Sequence, residues 1–247
     1  MKNNIFEDLF VLELANNHWG NVERGKKIIT DFSRIIRFNN VKAAIKLQFR
    51  DVDHFIHKKF KSREDIRYIN KTLKTKMSDE EYGILVETVR KSGCITMSTP
   101  FDEKSVQTCV NLGVDIIKIA SSDLTDWVLI EEIAKTRKPV IVSTGGSSTK
   151  DIDDIVKFFE KRNIPLAINH CVAIYPSEKY ELELNQIDWL KTRYPNHIIG
   201  FSTHEYNKDM EKSIMIAYAK GARTFERHID IIEEGREISP YCSTPKK

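Results

Sequence analysis

Eight short apolar runs punctuate the chain, at 10–14, 43–48, 94–99, 115–121, 140–144, 166–171, 198–204 and 223–228, and nearly every one ends near a residue that can do chemistry. Between them apolar residues recur at three- and four-residue spacing, as in Ile28, Phe32, Ile35 and Ile36, which predicts helices with one apolar face. Ser78 with Glu81 forms a capping box, Asp102 opens a helix carrying Val106 and Leu112, and Thr149 opens one carrying Ile152, Ile155 and Val156. Gly93, Gly113 and Gly221 fall just before strands, where a left-handed residue ends a helix at little steric cost. Strand-helix units of roughly 20–35 residues, with polar groups at the strand ends, predict an α/β chain folded as a (β/α)8 TIM barrel with its active-site face at the C-terminal ends of the strands.

The second unit is longer than the others. Its extra stretch, about 50–77, is rich in Lys, Arg, Asp and His and is expected to follow the second strand on the active-site side. From 229 to 247 the chain runs through Gly235, Pro240 and Pro245, leaving no room for a full closing helix. The expectation is one barrel domain over 1–247 without its eighth helix, a piece of a longer polypeptide. An open flank there would bare an apolar patch of a size soluble monomers avoid.

Composition narrows the class. The 247 residues are 40% hydrophobic and 30% charged, and a net charge of +3 is too small to imply nucleic acid as a partner. No apolar run has the length of a membrane span and the first residues lack the apolar stretch of a signal peptide, so a cytoplasmic protein with no membrane partner is expected. Cys94, Cys109, Cys171 and Cys242 show no CxxC spacing and are expected to be reduced.

Lys46 and Gln48 share the parity of one strand and should both point into the barrel, with Leu47 facing the helices. A lysine inside a barrel needs an anion. Lys118 repeats the arrangement in KIASSD, and STP (98–100), STGG (143–146) and FSTH (201–204) add small hydroxyl residues, together a plausible phosphate cradle. An ion pair with Glu13 is the plainer reading for Lys46. His204 and His228 end neighbouring strands and can share one coordination sphere, although two histidines suit substrate hydrogen bonds equally well. His170 is a candidate third ligand or a core residue, His18 belongs at the rim, and His54, His57 and His197 are expected in solvent. Glu13 and Asp123 are the carboxylates expected to face the same cavity, as proton acceptors or ligands of hydroxyls.

Taken in order, ELANNHWG (13–20), IKLQF (45–49), STPFD (98–102), KIASSD (118–123), STGG (143–146), HCVAIYP (170–176), GFSTH (200–204) and ERH (226–228) closely resemble the N-acetylneuraminate (sialic acid) synthase family. The resemblance implies a barrel that condenses phosphoenolpyruvate with N-acetylmannosamine or a related 2-acetamido sugar, releasing phosphate, with a divalent metal, Mn2+ or Mg2+. It assigns phosphoenolpyruvate to Lys46, Thr99, Lys118, Ser121, Ser143 and Ser202, the metal to His204 and His228, and the acceptor or proton handling to Glu13, Gln48, Asp123 and Tyr175. Asp123 stands where the family often has glutamate, Thr203 where aspartate is common, and Ala173 where a polar residue is frequent. The family's C-terminal antifreeze-like domain, which serves the partner subunit's site, is not found in this sequence, so the implied partners are a second copy or a separate C-terminal domain. Alternatives that remain open are another phosphoenolpyruvate-dependent 3-deoxy sugar-acid synthase, with basic residues of 58–67 on a distal phosphate, a Schiff-base aldolase using Lys118, and a non-catalytic phosphoenolpyruvate-binding barrel.

Overall fold

The computed structural model describes residues 4–245. Among them, eight parallel strands close a barrel in sequence order: β1 (Leu9–Ala15), β2 (Ala43–Phe49), β3 (Ile95–Pro100), β4 (Ile116–Ile119), β5 (Val140–Ser143), β6 (Leu166–Cys171), β7 (Ile198–Ser202) and β8 (Thr224–His228), with β8 pairing back to β1. The expected TIM barrel is the observed one. Helix α1 (Val22–Asn39) follows β1; α2 (Val52–Phe55), α3 (Arg67–Lys74) and α4 (Asp79–Lys91) follow β2; then come α5 (Glu103–Asn111), α6 (Trp127–Lys135), α7 (Thr149–Glu160), α8 (Asn185–Arg193) and α9 (Met210–Ala219), each after its strand. None of the helices is long and apolar enough to cross a membrane.

Local chemistry sets the element ends. Ser78 and Glu81 satisfy each other's backbone N–H groups at the start of α4. The start of α7 lies one residue earlier than the pattern suggests: Ser148 is the cap, paired with Asp151, and Thr149 is the first helical residue. Gly93, Gly113 and Gly221 all have positive φ.

Strand alternation divides the core in two. Residues such as Leu47, Ile117, Val142, Ile168 and Phe201 face outward into the main apolar layer beneath the helices, while Leu9, Val11, Ala44, Met97, Ile116, Ile141 and Ala167 fill the barrel interior over Phe6. This inner plug closes the N-terminal end, and the charged residues of the barrel interior lie above it. All four cysteines are buried and free.

After β8 no helix follows among the described residues. On the outer face of β1 and β8, Phe10 stacks on Phe225 and Tyr218 leans on Phe225, and both Phe10 and Tyr218 are exposed. The segment after β8 instead turns back over the C-terminal ends of β8 and β1. Ile229 N–H donates to the Glu13 carbonyl at 2.9 Å, Ser243 N–H to the His228 carbonyl at 2.9 Å, and Asn207 N–H to the Pro240 carbonyl at 2.8 Å. Arg24 locks this return through Asp230 at 2.6 Å and through Glu233.

His18 is not at the rim. It is fully buried against Tyr82, and its Nδ1 accepts from Gly20 N–H at 3.0 Å. Burial, aided by the Arg24 charge, pushes its pKa down to about 4. The ordinary value, near 6.5, applies in the unfolded chain, so between those limits the unfolded state takes up the proton and stability falls as pH drops. The expected slope from this one group is about 1.4 kcal/mol per pH unit. Denaturant melts from pH 7 to 4.5 on the wild type and His18→Asn check it: the variant's curve should be flatter, and equal slopes would refute the assignment.

Gly200 offers a second test. A Cβ there would lie 2.1 Å from Asn169 Oδ1 and 2.7 Å from the Thr224 carbonyl, whereas one at Gly83 on α4 meets nothing closer than 3.4 Å. Gly200→Ala is expected to destabilise by about 1–3 kcal/mol through overpacking. Gly83→Ala should stabilise by roughly 0.5–1 kcal/mol, with thermal melts reading both.

Candidate active site

Register places the polar interior. Glu13 of β1 pairs with Lys46 of β2 on one side and with His228 of β8 on the other. Gln48 pairs with Thr99, Ser143 with Asn169, Asn169 with Gly200, and Ser202 with Glu226. All share the inward parity of the apolar plug below them, so the strands stack their polar residues above it toward the C-terminal end.

At the centre, Lys46, Lys118, Glu13 and Glu226 form a buried quartet of two cations and two anions. Lys46 Nζ pairs with Glu13, donates to Thr99 Oγ1 at 3.1 Å, and lies 3.4 Å from Glu226 Oε1. Lys118 Nζ reaches both Glu226 oxygens at 3.4 Å, and Ser202 Oγ donates to Glu226 at 3.3 Å. Burial lowers the Lys46 pKa to about 8, the Glu226 charge only partly opposing it. For Glu226, burial favours the neutral acid, but Lys118 and Lys46 outweigh it and hold the carboxyl below its ordinary value. The lysines therefore do not stand as a bare cationic pocket.

Around this quartet sit directed hydrogen-bonding groups. Ser143 Oγ and both polar atoms of the fully buried Asn169 side chain have no hydrogen-bond partner. Gly200 is what lets the Asn169 side chain cross the interior. Ser121, in a 3-10 turn after β4, accepts from Gly145 N–H at 3.0 Å and so joins the β5 loop to the β4 loop.

Toward the mouth, Gln48 Nε2 donates to Glu13 Oε1 at 3.3 Å, and Arg50 Nη1 donates to Gln48 Oε1 at 2.9 Å. Arg50 lies over the Phe101 ring at 3.7 Å, its pKa pushed down to about 10 by burial. Asp123 is half-buried and accepts from Ser122 Oγ at 2.8 Å; burial raises its pKa, with the Arg50 and Lys118 charges opposing.

His204 and His228 sit two residues beyond the Ser202–Glu226 pair, on the same parity, with ring centroids 5.4 Å apart. Burial holds both neutral: His204 falls to about 4, and His228 lies well below its ordinary value. The Tyr175 ring lies 3.9 Å from His204, and Tyr241 of the returning tail packs 5.3 Å from His228 and 5.8 Å from Tyr175. Buried, neutral imidazoles with an unpartnered His204 Nδ1 are suitable donors for a divalent ion of the manganese type. Among the described residues no three His, Cys, Asp or Glu side chains are grouped to hold a metal.

The structure gathers Glu13, Lys46, Gln48, Thr99, Lys118, Ser202, His204 and His228 at the C-terminal ends of the strands inside the barrel, with Ser121, Asp123, Ser143 and Tyr175 on surrounding strand ends and loops. Three histidines differ from expectation or are settled by it. His170 points outward, its ring stacked on Phe201 and its Nε2 2.7 Å from the Leu182 carbonyl, which makes it a core residue and not a third ligand. His197 is half-buried, bridging the Leu166 carbonyl and Glu160, while His54 is exposed. Glu226, Asn169, Arg50 and Tyr241 were not singled out by the sequence; the inward parity of Glu226 with His228 in ERH was the available signal for the first.

Fold and site define a parallel barrel with a buried lysine–glutamate quartet in its interior and two imidazoles at its mouth. The chain belongs to the NeuB family, whose model matches residues 39–240. It is 33% identical over 227 residues to an uncharacterized protein of Methanocaldococcus jannaschii, covering 91% of this chain and 63% of that one. It is 27% identical over 245 residues to the N-acetylneuraminate-9-phosphate synthase of Drosophila melanogaster, covering 94% of this chain and 63% of the relative. The crystal structure of a spore coat polysaccharide biosynthesis protein E from Chromobacterium violaceum superposes with a TM-score of 0.93 at 40% identity, over 96% of this chain and 70% of that one. The chain thus spans about 63% of the length of these curated relatives.

Glu226→Gln tests the quartet. It leaves two buried lysines short of a counter-charge and should cost about 3–5 kcal/mol. Inorganic phosphate should then raise the variant's Tm more than the wild type's, because a ligand that binds the native state stabilises it by mass action. An equal phosphate response in both proteins would show that the interior does not demand an anion.

Proposed function

We propose that the chain is the barrel domain of a nonulosonic acid synthase, a carbon–carbon bond-forming transferase. It would condense phosphoenolpyruvate with an N-acetylated hexosamine, N-acetylmannosamine or a diacetamido analogue, to give a sialic-acid-like 2-keto acid and phosphate. The observation that carries this reading is the juxtaposition of the Lys46–Lys118–Glu226 cluster with the His204–His228 pair in a chain of the NeuB family.

Lys46 and Lys118 supply charge for the phosphate and carboxylate of phosphoenolpyruvate, and Thr99, Ser121, Ser143 and Ser202 supply directed donors. Asn169, with an unpartnered amide, belongs to the same set. A divalent ion on His204 and His228, Mn2+ or Mg2+, would polarise the acceptor aldehyde. Gln48, Asp123 and Tyr175 line the acceptor side and orient its hydroxyl and acetamido groups. C3 of phosphoenolpyruvate forms the new bond to the aldehyde carbon, water adds to the cationic C2, and the C–O bond to phosphate breaks. Glu13, ion-paired with Lys46, is placed to accept a proton from that water.

Phosphate release from phosphoenolpyruvate with Mn2+ is the direct test, run against N-acetylmannosamine and its 6-deoxy diacetamido analogues. Release that requires both metal and sugar and falls at least about 100-fold in His228→Ala supports the reading and names the acceptor; a general loss of this size is typical of removing one electrostatic catalytic group. Sugar-independent release, or release untouched by His228→Ala, overturns it.

A further inference from the structure

Among the buried charges that the proposed chemistry leaves unused is a cluster on the outer side of the β7–β8 ladder. Glu205 is 0% exposed and Arg227 6%. Arg227 Nη1 lies 3.1 Å from Glu205 Oε1, its Nη2 donates to the Glu205 carbonyl at 3.0 Å, and its Nε donates to Ser243 Oγ at 3.0 Å. The hydroxyls of Thr203 and of Ser213 on α9 both donate to the Glu205 carboxylate. A buried ion pair is costly to desolvate, and apolar residues of the same volume often serve stability as well or better. Its place in the fold supplies a reason for it.

His204 and His228 face the interior, and the residues beside them face out: Glu205 follows His204, and Arg227 precedes His228. The paired register of β7 and β8 ends at Ser202 and Glu226, with Thr203 N–H to the Glu226 carbonyl at 3.2 Å as the last main-chain cross-link along that seam. Both imidazoles lie beyond that end. There the Glu205–Arg227 bridge joins the two backbones from behind, where ladder hydrogen bonds have stopped. The neighbouring β6 loop adds a further tie, Ser177 N–H donating to the His204 carbonyl at 3.1 Å.

We propose that Glu205 and Arg227 are positioning residues that fix the separation of His204 and His228 for a divalent cation. Through Ser243, the same guanidinium anchors the tail that lays Tyr241 over the two imidazoles. The inference rests on reading the histidine pair as a metal site.

Mn2+ affinity, measured by electron paramagnetic resonance on the full chain without substrates, tests it. Wild type should bind Mn2+ saturably and His204→Ala should not. Glu205→Gln and Arg227→Met should bind about 10–100-fold more weakly, the usual cost of losing an outer partner of a metal ligand, and Arg227→Lys should recover part of the loss. The double variant Glu205→Met/Arg227→Met removes both charges together and serves if the single variants fail to fold. Normal thermal stability with weakened Mn2+ binding in that variant supports positioning; wild-type affinity there overturns it. Absence of saturable binding in the wild type would instead bring down the metal reading, and the positioning role with it.

Discussion

Charge neutrality inside the barrel is the constraint on which the rest of the structure depends. Lys46 and Lys118 sit where water cannot solvate them, and each is held by a carboxylate from a strand beside or across the barrel. The carboxylates come from β1 and β8, the first and last strands, so the quartet forms only when the barrel has closed. The same residues that make the interior electrically acceptable therefore tie the ends of the sheet together. A buried ion cluster of this sort gains little net stability, and its presence is best understood through what it keeps ready: two ammonium groups, pre-oriented, with counter-ions that an incoming anion can partly replace.

Hydroxyl and amide groups complete that preparation. Ser143 and Asn169 present polar atoms with no protein partner, a condition folded proteins ordinarily avoid. Gly200 lies opposite Asn169 in the ladder and gives up its own side chain to make space for that amide. Packing and chemistry are thus settled at the same positions. The apolar plug beneath sets the floor, and strand alternation sets the height of everything above it.

Much of this was legible in the sequence because a strand's period is strict. The run at 94–99 became Ile95–Pro100, and the inward parity of Lys46 with Gln48 followed from alternation alone. The run at 115–121 came out shorter, Ile116–Ile119, because the chain turns into a 3-10 segment at Ser121. Partnerships were less legible than directions. That Glu226 stands between two lysines depends on closure across the barrel, which no local pattern encodes. His170 looked like a strand-end ligand by position, yet its parity is that of Ile168, and the core claims it. His18 sits in a loop rich in polar residues, but Tyr82 arrives from α4 to bury it. Tyr241 had no signal at all, since nothing in a run of Gly, Pro and charged residues says that the tail returns over the mouth.

That return has an evolutionary reading. The tail is fastened by main-chain hydrogen bonds at His228, Asp230 and Pro240, which are indifferent to side-chain identity, and by the side-chain contacts of Arg24 with Asp230 and of Arg227 with Ser243. Only Tyr241 projects from it onto the two imidazoles and Tyr175. The roof over the imidazoles can accordingly drift by substitution at Tyr241 while its anchors, floor and walls stay fixed by ion pairs and strand register, which makes that one position an interchangeable tile on an otherwise inherited building.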